Sequence, residues 1–252
     1  MAMFFDFCCT AVTEESTIVP MNSWPATIEE AASLREDLAL KIRISPTGRS
    51  FRTVAAVDMA YCGNSAVAAA ALYDLESLVC LEEKVEIAEV HFPYIPGYLF
   101  FREGPVVVEA LGKLSQPPDL LLIDGHGIAH PKKAGFASLL GALLDIPSIG
   151  CAKSRLVGRY EEPGPGKGDW SPLIYRKETV GAVVRSRNGT KPVFVSPGHL
   201  ITLDEAVAIV LRCTPKFRVA EPLRKADALA GKTAKLLRQI DKPPFASDVQ
   251  EL

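Results

Sequence analysis

The stretch PDLLLIDGHG, residues 118–127, decides the fold class of this chain. Its apolar core, LLLI, contains no polar residue and ends at an acid that is followed by glycine. A helical pattern, AGFASLLGALLD at 134–145, comes next, and a second apolar run, IPSIGCAKS, occupies 146–154. Strands buried on both faces have continuous apolar sequences, and a β-α-β order is typical of a parallel sheet. The stretch therefore predicts buried parallel strands in an α/β fold.

The residues upstream of this stretch predict antiparallel strands. FRTVAAVDMAY at 51–61 and SAVAAAALYDL at 65–75 flank a turn-forming Cys-Gly-Asn, which indicates a hairpin. EEKVEIAEV at 82–90 alternates apolar residues with acids, as a half-buried strand does. These three antiparallel strands and the parallel units predict one mixed sheet with helices on both faces.

The other segments are assigned from periodicity and from their Gly and Pro content. IEEAASLREDLALKIRI at 28–44 has apolar residues at helical spacing, with Thr27 as its N-cap. We also predict helices at 105–114, from Leu203 onward and in the Lys-rich C-terminal part, strands near 179–186 and 192–198, and a surface loop at 160–172. No repeat or linker is visible. The expected organisation is a leader at 1–26, one domain at 27–245 and a tail at 246–252.

The composition of the chain excludes several classes of protein. The 252 residues carry a net charge of -2, so any nucleic-acid binding must rely on local patches or metal ions rather than on a basic surplus. The apolar runs fall short of the roughly 20 residues that span a bilayer, so no membrane segment is predicted. Six cysteines form no C-x-x-C pair, which predicts neither zinc nor disulfides and favours a reducing cytoplasm. No P-loop and no G-x-G-x-x-G between a strand and a helix is present, so no nucleotide cofactor is expected.

The segment HFPYIPGYLFFREG, at 91–104, is rich in aromatic residues. Pro93 and Pro96 would each remove a backbone donor from a strand, so they predict a rigid loop rather than a core strand. The aromatic side chains of this loop are then expected to be displayed rather than buried. The loop ends at an acid, Glu103.

Two acids, Asp58 and Asp124, each end an apolar strand. An unpaired buried carboxylate is costly, and two acids on adjacent strands need a cation between them. Glu103 is a candidate third oxygen ligand, and a few carboxylates completed by water and phosphate are what Mg²⁺ prefers. A structural explanation, in which the acids cap a helix or pair with Arg, stays equally open on the residues alone.

Basic and imidazole side chains also follow predicted strands. Lys153, in GCAKS, shares a sheet edge with Asp124 if their strands are parallel, and could there neutralise phosphate charge, although most such lysines are solvated charges. His199 leaves a strand in VSPGH in a similar way. His126 and His130 have the His-x-x-x-His spacing but lack the Glu of a zinc protease, so zinc is not expected. They either contact a ligand or stabilise a turn.

Taken together, these segments resemble the endonuclease V family. The shared motifs are, in chain order, VDMAY at 57–61, PYIPGYLFFREGP at 93–105, DGHGIAHPKKAGFASLLG at 124–141, GCAKSRLVG at 150–158 and VSPGH at 195–199. The similarity extends from about Leu34 to EPLRKADALA at 221–230. Each motif is weak alone, but several in one order make the resemblance specific.

The resemblance implies an RNase H-like fold and a divalent-metal endonuclease that recognises deoxyinosine, the product of adenine deamination in DNA. It also implies hydrolysis of the second phosphodiester bond on the 3′ side of the lesion, which leaves 3′-hydroxyl and 5′-phosphate ends. The site residues that it implies are Asp58, Asp124 and Glu103 as ligands of Mg²⁺, for which Mn²⁺ can substitute, Lys153 by the scissile phosphate, His199 near metal-bound water, and His130 at the phosphate site.

Recognition of a modified base requires that the base leave the duplex, at a cost of a few kcal/mol. In the family the PYIP segment fills the gap, so Tyr94 is the expected tip of a wedge that also contains Pro93, Ile95 and Pro96. By the same resemblance the pocket for the flipped base is formed by Gly97, Leu99, Gly125 and Leu156. Inosine-containing nucleic acid is the expected partner, and a monomer is the expected state.

Three residues depart from the family's pattern: Leu139 where many members have His, Leu200 where Arg or Lys is common, and Cys151 in place of Val. Leu200 is expected to weaken binding of the nucleic-acid backbone. Two other functions stay open: an endoribonuclease that acts on inosine in RNA, because contacts to the 2′-hydroxyl cannot be located in the sequence, and a non-catalytic module that binds the lesion. A purely structural α/β domain would bury Tyr94.

Overall fold

The computed structural model describes residues 24–48 and 50–240. The predicted tail at 246–252 and residues 1–23 of the predicted leader lie outside the described residues. Among the described residues, no helix has both the length and the apolar character needed to cross a bilayer. The division into leader, single domain and tail remains a prediction.

Eight strands form one sheet in the described part of the chain. Their bounds are β1 Thr53–Cys62, β2 Ser65–Asp74, β3 Cys80–Glu89, β4 Leu121–Ile123, β5 Ser148–Ala152, β6 Trp170–Tyr175, β7 Glu178–Val184 and β8 Val193–His199. The order across the sheet is β3-β2-β1-β4-β5-β8-β7-β6. β4 runs parallel to β1 and β5, and the other neighbouring pairs are antiparallel. The predicted mixed sheet of an RNase H-like α/β fold is confirmed.

Helices cover both faces of this sheet. Their bounds are α1 Ile28–Lys41, α2 Leu99–Gly112, α3 Phe136–Leu144, α4 Leu203–Arg212 and α5 Glu221–Ile240. Alternate residues of β1 point to opposite faces: Ala55 and Val57 pack in the core with α1, α2 and α3, whereas Val54 and Ala56 pack in the core with α4 and α5. The position of a side chain along β1 therefore decides which helices it meets.

Helix α2 begins at Leu99 rather than at the predicted residue 105. A proline removes one backbone hydrogen bond from a helix interior, so the sequence pattern places the helix start at Pro105. The side chains of Phe100 and Phe101, which are 3% and 1% exposed, are buried by the earlier start, and this burial outweighs the lost hydrogen bond. Glu103 consequently belongs to a helix and not to the aromatic loop.

The predicted surface loop at 160–172 is too long at its C-terminal end. Trp170 begins β6, which pairs with β7 and forms one edge of the sheet. Pro172 is compatible with this assignment because an edge strand can leave one side of its backbone unpaired. Leu173 is fully buried, and its packing favours the strand.

Candidate active site

The acids Asp58 and Asp124 lie side by side in the sheet. β1 and β4 are parallel, with Val57 opposite Ile123, so the residues that follow these two are neighbours at the point where β4 ends. Asp58 Oδ1 accepts a hydrogen bond from the backbone N–H of Met59 at 2.8 Å. The two carboxylates are therefore neighbours at the end of β4.

Lys153 extends the same edge of the sheet. Because β5 runs parallel to β4, the residue after its last position emerges beside Asp124, and Lys153 Nζ lies 2.5 Å from Asp124 Oδ2. Partial burial disfavours the charged amine, but the hydrogen bond and charge of Asp124, together with the charges of Asp58 and Asp227, raise the pKa of Lys153. The amine is therefore a cation fixed at the acid pair.

Asp227 on α5 joins these acids and was not predicted. Its carboxyl group lies within hydrogen-bonding reach of Asp58. Burial, the contact with Asp227 and the charge of Asp124 raise the pKa of Asp58 to about 7, against the effect of the Met59 N–H. No local pattern marks it, because Asp227 is exposed on α5 and only its neighbour Ala226 belongs to the buried stripe of that helix.

Glu103 lines the same cavity as Asp58 and Asp124, but it has its own partner. Its Oε1 accepts a hydrogen bond from the Tyr61 hydroxyl at 2.9 Å, and burial raises the pKa of this carboxyl. Within residues 24–48 and 50–240, no set of three or more His, Cys, Asp or Glu side chains is spaced to hold a metal ion. Asp58 and Asp124 are the adjacent pair among the three predicted ligands, and the three-acid ligand set stays a prediction.

A cavity of about 600 Å³ opens beside the acids, on the side of the sheet covered by α2 and α3. Most of the predicted substrate residues line it: Tyr94, Ile95, Pro96, Gly97, Leu99, Gly125, His130 and Leu156. Pro93 and Lys153 are not part of this lining. Apolar walls next to a few carboxylates and imidazoles suit a planar base with a polar edge. We refer to this space as the Tyr94 cavity.

The loop at the mouth of the Tyr94 cavity is held rigid from within. Ile95 O accepts from Tyr98 N at 3.0 Å, and Pro96 followed by Gly97, whose φ is +85°, fits the two central positions of a type II turn. Arg102 Nη1 donates to Phe92 O at 2.7 Å and ties the loop to α2. The predicted loop is confirmed for residues 91–98, and these hydrogen bonds support its predicted rigidity.

Only part of the aromatic cluster is displayed. Tyr94 is 71% exposed, whereas Phe92, Phe100 and Phe101 are buried, so the expectation that the rings are displayed holds for Tyr94 and is wrong for the phenylalanines. Ring packing explains the difference, since Phe100 and Phe101 lie 5.3 Å apart, centroid to centroid, inside the core. The exposure of Tyr94 also removes the argument for a purely structural domain.

The two histidines of the DGHGIAH segment line the Tyr94 cavity. Burial, the neighbouring His126 ring and the charge of Arg35 lower the pKa of His130 to about 4. Burial also lowers the pKa of His126. Both rings are therefore neutral at neutral pH, which suits hydrogen bonding to a base more than charge pairing with a phosphate.

His199 does not lie at the acids, and this placement contradicts its predicted role near metal-bound water. β8 is antiparallel to β5, so His199 pairs with Ser148, at the opposite end of β5 from Lys153. Strands rise about 3.3 Å per residue, so roughly 13 Å of strand separates the two ends. His199 is 1% exposed, and its Nδ1 accepts from Arg43 N at 3.3 Å while Nε2 lies 3.2 Å from Asp145 Oδ1.

The VSPGH segment instead supports the DGHG loop by packing. Ser196 Oγ accepts from Gly127 N, and Pro197 O accepts from Ile128 N, both at 2.8 Å. A Cβ at Gly127 would lie 2.0 Å from Pro197 O, so glycine is required there by the fold. These contacts hold the DGHG loop in place and so position Asp124 and Gly125 in the lining of the cavity.

Comparison with known proteins identifies the family. The family model for endonuclease V matches residues 36–228. The chain belongs to the endonuclease V family. An endonuclease V from Geotalea uraniireducens is 51% identical over 210 residues, which cover 83% of this chain and 90% of the relative.

Two solved members of the endonuclease V family match the fold. The crystal structure of the Streptomyces avermitilis protein is 41% identical with a TM-score of 0.81, covering 86% of this chain and 96% of that chain. A Ciona intestinalis endonuclease V in complex with a 24mer DNA containing an inosine followed by a ribo-adenosine is 29% identical with a TM-score of 0.74, covering 83% and 98%. The resemblance in the sequence is confirmed, and the chain is an endonuclease rather than a non-catalytic module.

The three departures from the endonuclease V pattern occupy different environments. Leu139 is buried in the lining of the Tyr94 cavity, where it makes that wall more apolar. Cys151 lies in the core under α4 and α5, and burial, with the charge of Asp124, raises the pKa of its thiol to about 12. Leu200 follows His199 and donates its N–H to Arg43 O at 2.6 Å, at the end of the sheet away from the acids. The expected effect of Leu200 on backbone binding does not fit that position.

Proposed function

We propose that this endonuclease is metal-dependent, recognises deoxyinosine and hydrolyses the second phosphodiester bond on the 3′ side of the lesion. The observation that carries the proposal is that the adjacent acids Asp58 and Asp124 line the same cavity as the exposed Tyr94. The proposed catalytic acids and the proposed pocket for the base are therefore parts of one cavity. The inosine-containing DNA bound by the Ciona relative supports the class of substrate.

The acid pair fits a hard divalent cation. Burial and the neighbouring acids Asp227 and Asp124 raise the pKa of Asp58, and a cation between the carboxylates would remove this conflict. Asp58 and Asp124 would hold Mg²⁺ or Mn²⁺, which need few protein carboxylates, and Glu103 and Asp227 would complete the acidic set. When bound, the ion would supply Lewis acidity toward the phosphate and would acidify the attacking water.

Lys153 is the cation that the chain itself supplies to the reaction. Its amine is fixed 2.5 Å from Asp124 and its side chain is about half exposed, so it can reach a phosphate oxygen that approaches the acids. A positive charge already in place stabilises the negative charge that develops on the phosphate during hydrolysis.

The Tyr94 cavity would hold the flipped base, with Tyr94 in the gap left in the duplex. At Gly125 an added Cβ would meet no protein atom closer than Ile123 Cγ2 at 3.6 Å, so the fold itself tolerates a side chain there. We infer that the base edge needs this space. His130 would then contribute a neutral hydrogen bond rather than a charge.

The second candidate function is cleavage of RNA at inosine, because a ribo-adenosine follows the inosine in the nucleic acid bound by the Ciona relative. Both candidates use the same acids and the same cavity. We place the activity in the cytoplasm, in keeping with the free thiols of Cys80, Cys151 and Cys213 among the described residues, and we propose a monomer.

Side-by-side cleavage of matched DNA and RNA strands, each with one inosine, tests this proposal. The expected result is a nick in the DNA strand that requires Mg²⁺ and is absent from the same strand with adenine in place of inosine. Product mapping should place the nick at the second phosphodiester bond 3′ to the inosine. Faster cutting of the RNA strand would favour the second candidate, and cutting in the presence of excess chelator would contradict the metal assignment.

A further inference from the structure

A second cavity, of about 420 Å³, lies on the α5 side of the acids. Its lining includes four cations and one aromatic ring: Lys153, Arg187, Arg218, Arg224 and Phe217. Asp227 is the acid in this lining. The whole chain has a net charge of -2, so this cluster of cations is a local feature rather than a result of the overall charge. We name this space the basic groove.

The basic groove and the Tyr94 cavity share no lining residue, yet they meet at the acids. Lys153 of the groove contacts Asp124 of the cavity, and Asp227 of the groove reaches Asp58 of the cavity. Asp58 has the same parity on β1 as Ala56, which faces α5, so its carboxyl points toward the groove side of the sheet. The acids therefore lie at the boundary between the Tyr94 cavity and the basic groove.

Two arginines of the basic groove, Arg218 and Arg187, differ in the contacts that their side chains make. Arg218 holds backbone: its Nε donates to Lys191 O at 2.7 Å, and its Nη2 donates to Lys153 O at 2.7 Å and to Pro192 O at 2.9 Å. Arg187 is exposed, and its side chain has no hydrogen bond or ion pair among residues 24–48 and 50–240. Arg187 is thus the arginine of the groove that is available to a phosphate.

In the same groove the Arg224 guanidinium lies over the Phe217 ring, and we call this pair the Phe217–Arg224 platform. Arg224 Cζ lies 3.4 Å from the centroid of the Phe217 ring, which is 39% exposed. Arg224 also pairs with Glu221 at 3.0 Å, which offsets part of its charge. Nucleic-acid bases stack on aromatic rings and on guanidinium planes, with little preference for sequence.

We propose that the basic groove binds the nucleic-acid strand on the 3′ side of the cut. The proposal rests on the proposed function, in which the base occupies the Tyr94 cavity and the scissile bond lies 3′ to it. A strand that passes from the Tyr94 cavity over Asp58 and Asp124 continues into the basic groove. The nucleotides after the cut therefore lie there, with Arg187 at a backbone phosphate and the Phe217–Arg224 platform under a base.

The test measures kcat/KM on single strands that carry one deoxyinosine. In one series the number of nucleotides on the 5′ side of the deoxyinosine is constant and the number on its 3′ side increases. In the mirrored series the 3′ side is constant and the 5′ side increases. We expect kcat/KM to rise with the length of the 3′ flank until the groove is filled. In Arg187→Ala and in Phe217→Ala, this increase in kcat/KM should be smaller than in the parent by about five-fold or more. The matched control is Arg212→Ala, because Arg212 interacts with Asp74 at the end of the sheet away from the acids.

A second readout is the affinity for a single-stranded oligonucleotide with a 5′-phosphate, measured without divalent metal, which mimics the strand left after the cut. Both groove variants should bind it about five-fold more weakly than the parent, and Arg212→Ala should not. A gain with 3′ flank that persists in both groove variants, or an equal loss in the mirrored series, would overturn the proposal. Lack of nicking on every inosine strand would overturn the proposed function and with it the 3′ assignment, whereas nicking at rates independent of the 3′ flank would overturn the groove alone.

Discussion

The Lys153–Asp124 pair and the His199–Asp145 pair stand at opposite ends of β5. The first lies beside Asp58, between the Tyr94 cavity and the basic groove. In the second, His199 is buried against the backbone of Arg43, and Asp145 is 75% exposed to solvent outside either space. Both pairs join an acid to a base, so the chemistry of the side chains does not separate them. Their surroundings do, because the first pair lines the Tyr94 cavity and the basic groove, whereas the second pair lines neither.

The largest effect should follow removal of a charge from the acids at the first pair. Asp58→Asn should lower the single-turnover rate of cleavage at deoxyinosine by roughly 10³-fold, because the ion that this carboxylate would hold contributes several kcal/mol to the transition state. The matched control is Asp145→Asn, an acid of the second pair, which should stay within about three-fold of the parent. Similar cleavage rates for Asp58→Asn and Asp145→Asn would contradict the placement of the catalytic acids at the first pair.

Loss of the fixed cation should have the next largest effect. Lys153→Met should reduce kcat by about 10²-fold while KM changes little, since the amine acts on charge that develops during the reaction. Lys153→Arg keeps the charge and should recover part of the rate. An effect confined to KM would assign Lys153 to ground-state binding instead.

A smaller effect is expected at the mouth of the Tyr94 cavity. Tyr94→Ala should weaken binding of an inosine strand by roughly 1–3 kcal/mol, the usual range for loss of an aromatic stacking surface, and should leave metal binding unchanged. Tyr94→Phe keeps the ring and serves as the control. Equal losses of inosine and metal affinity, or no loss, would count against the wedge.

The smallest effect concerns stability without metal. Burial and the neighbouring acids Asp227 and Asp124 raise the folded-state pKa of Asp58 to about 7 from an ordinary value of 3.8. The folded protein holds this proton more tightly than the unfolded chain, so the stability it contributes is complete below about pH 4 and is lost as the pH rises through about 7. Asp58→Asn should therefore raise the free energy of unfolding at about pH 8 by about 1–2 kcal/mol, allowing for partial exposure of the group.

Urea unfolding in the presence of a chelator, at about pH 4 and about pH 8, checks this linkage. Asp145→Asn is again the control, because that carboxylate is mostly in solvent. An equal gain in stability at both pH values would show that the effect of Asp58→Asn does not come from its titration.

The first pair could be predicted because its neighbours in sequence carry the information. Asp58 and Asp124 each end a continuous apolar run, and such runs indicate buried strands near the sheet centre. Parallel strands bring their carboxyl ends to one edge, so Lys153 follows from the same reasoning. The rigid loop with Tyr94 could be predicted from the fixed φ of its two prolines.

Of the second pair, only His199 has a role predicted from the sequence, and that role is wrong because strand direction is a long-range property. His199 follows a strand just as Lys153 does, but β8 is antiparallel to β5, and no local pattern states this. Asp227 was missed for a related reason, since its role depends on how α5 packs over β1 and not on the residues around it. The start of α2 was misplaced because burial of Phe100 and Phe101 overrides the local signal of Pro105.

The most direct test compares one residue from each pair in a single assay. Single-turnover cleavage of a deoxyinosine strand in Mg²⁺ should fall by roughly 10³-fold in Asp124→Asn. His199→Gln, assayed at a temperature where it is folded, should stay within about three-fold of the parent, because His199 lies beside Ser148 and about 13 Å of strand separates Ser148 from Ala152, the residue before Lys153. A folded His199→Gln that loses as much activity as Asp124→Asn, or an Asp124→Asn that keeps its activity, would contradict the placement of the catalytic centre at the first pair.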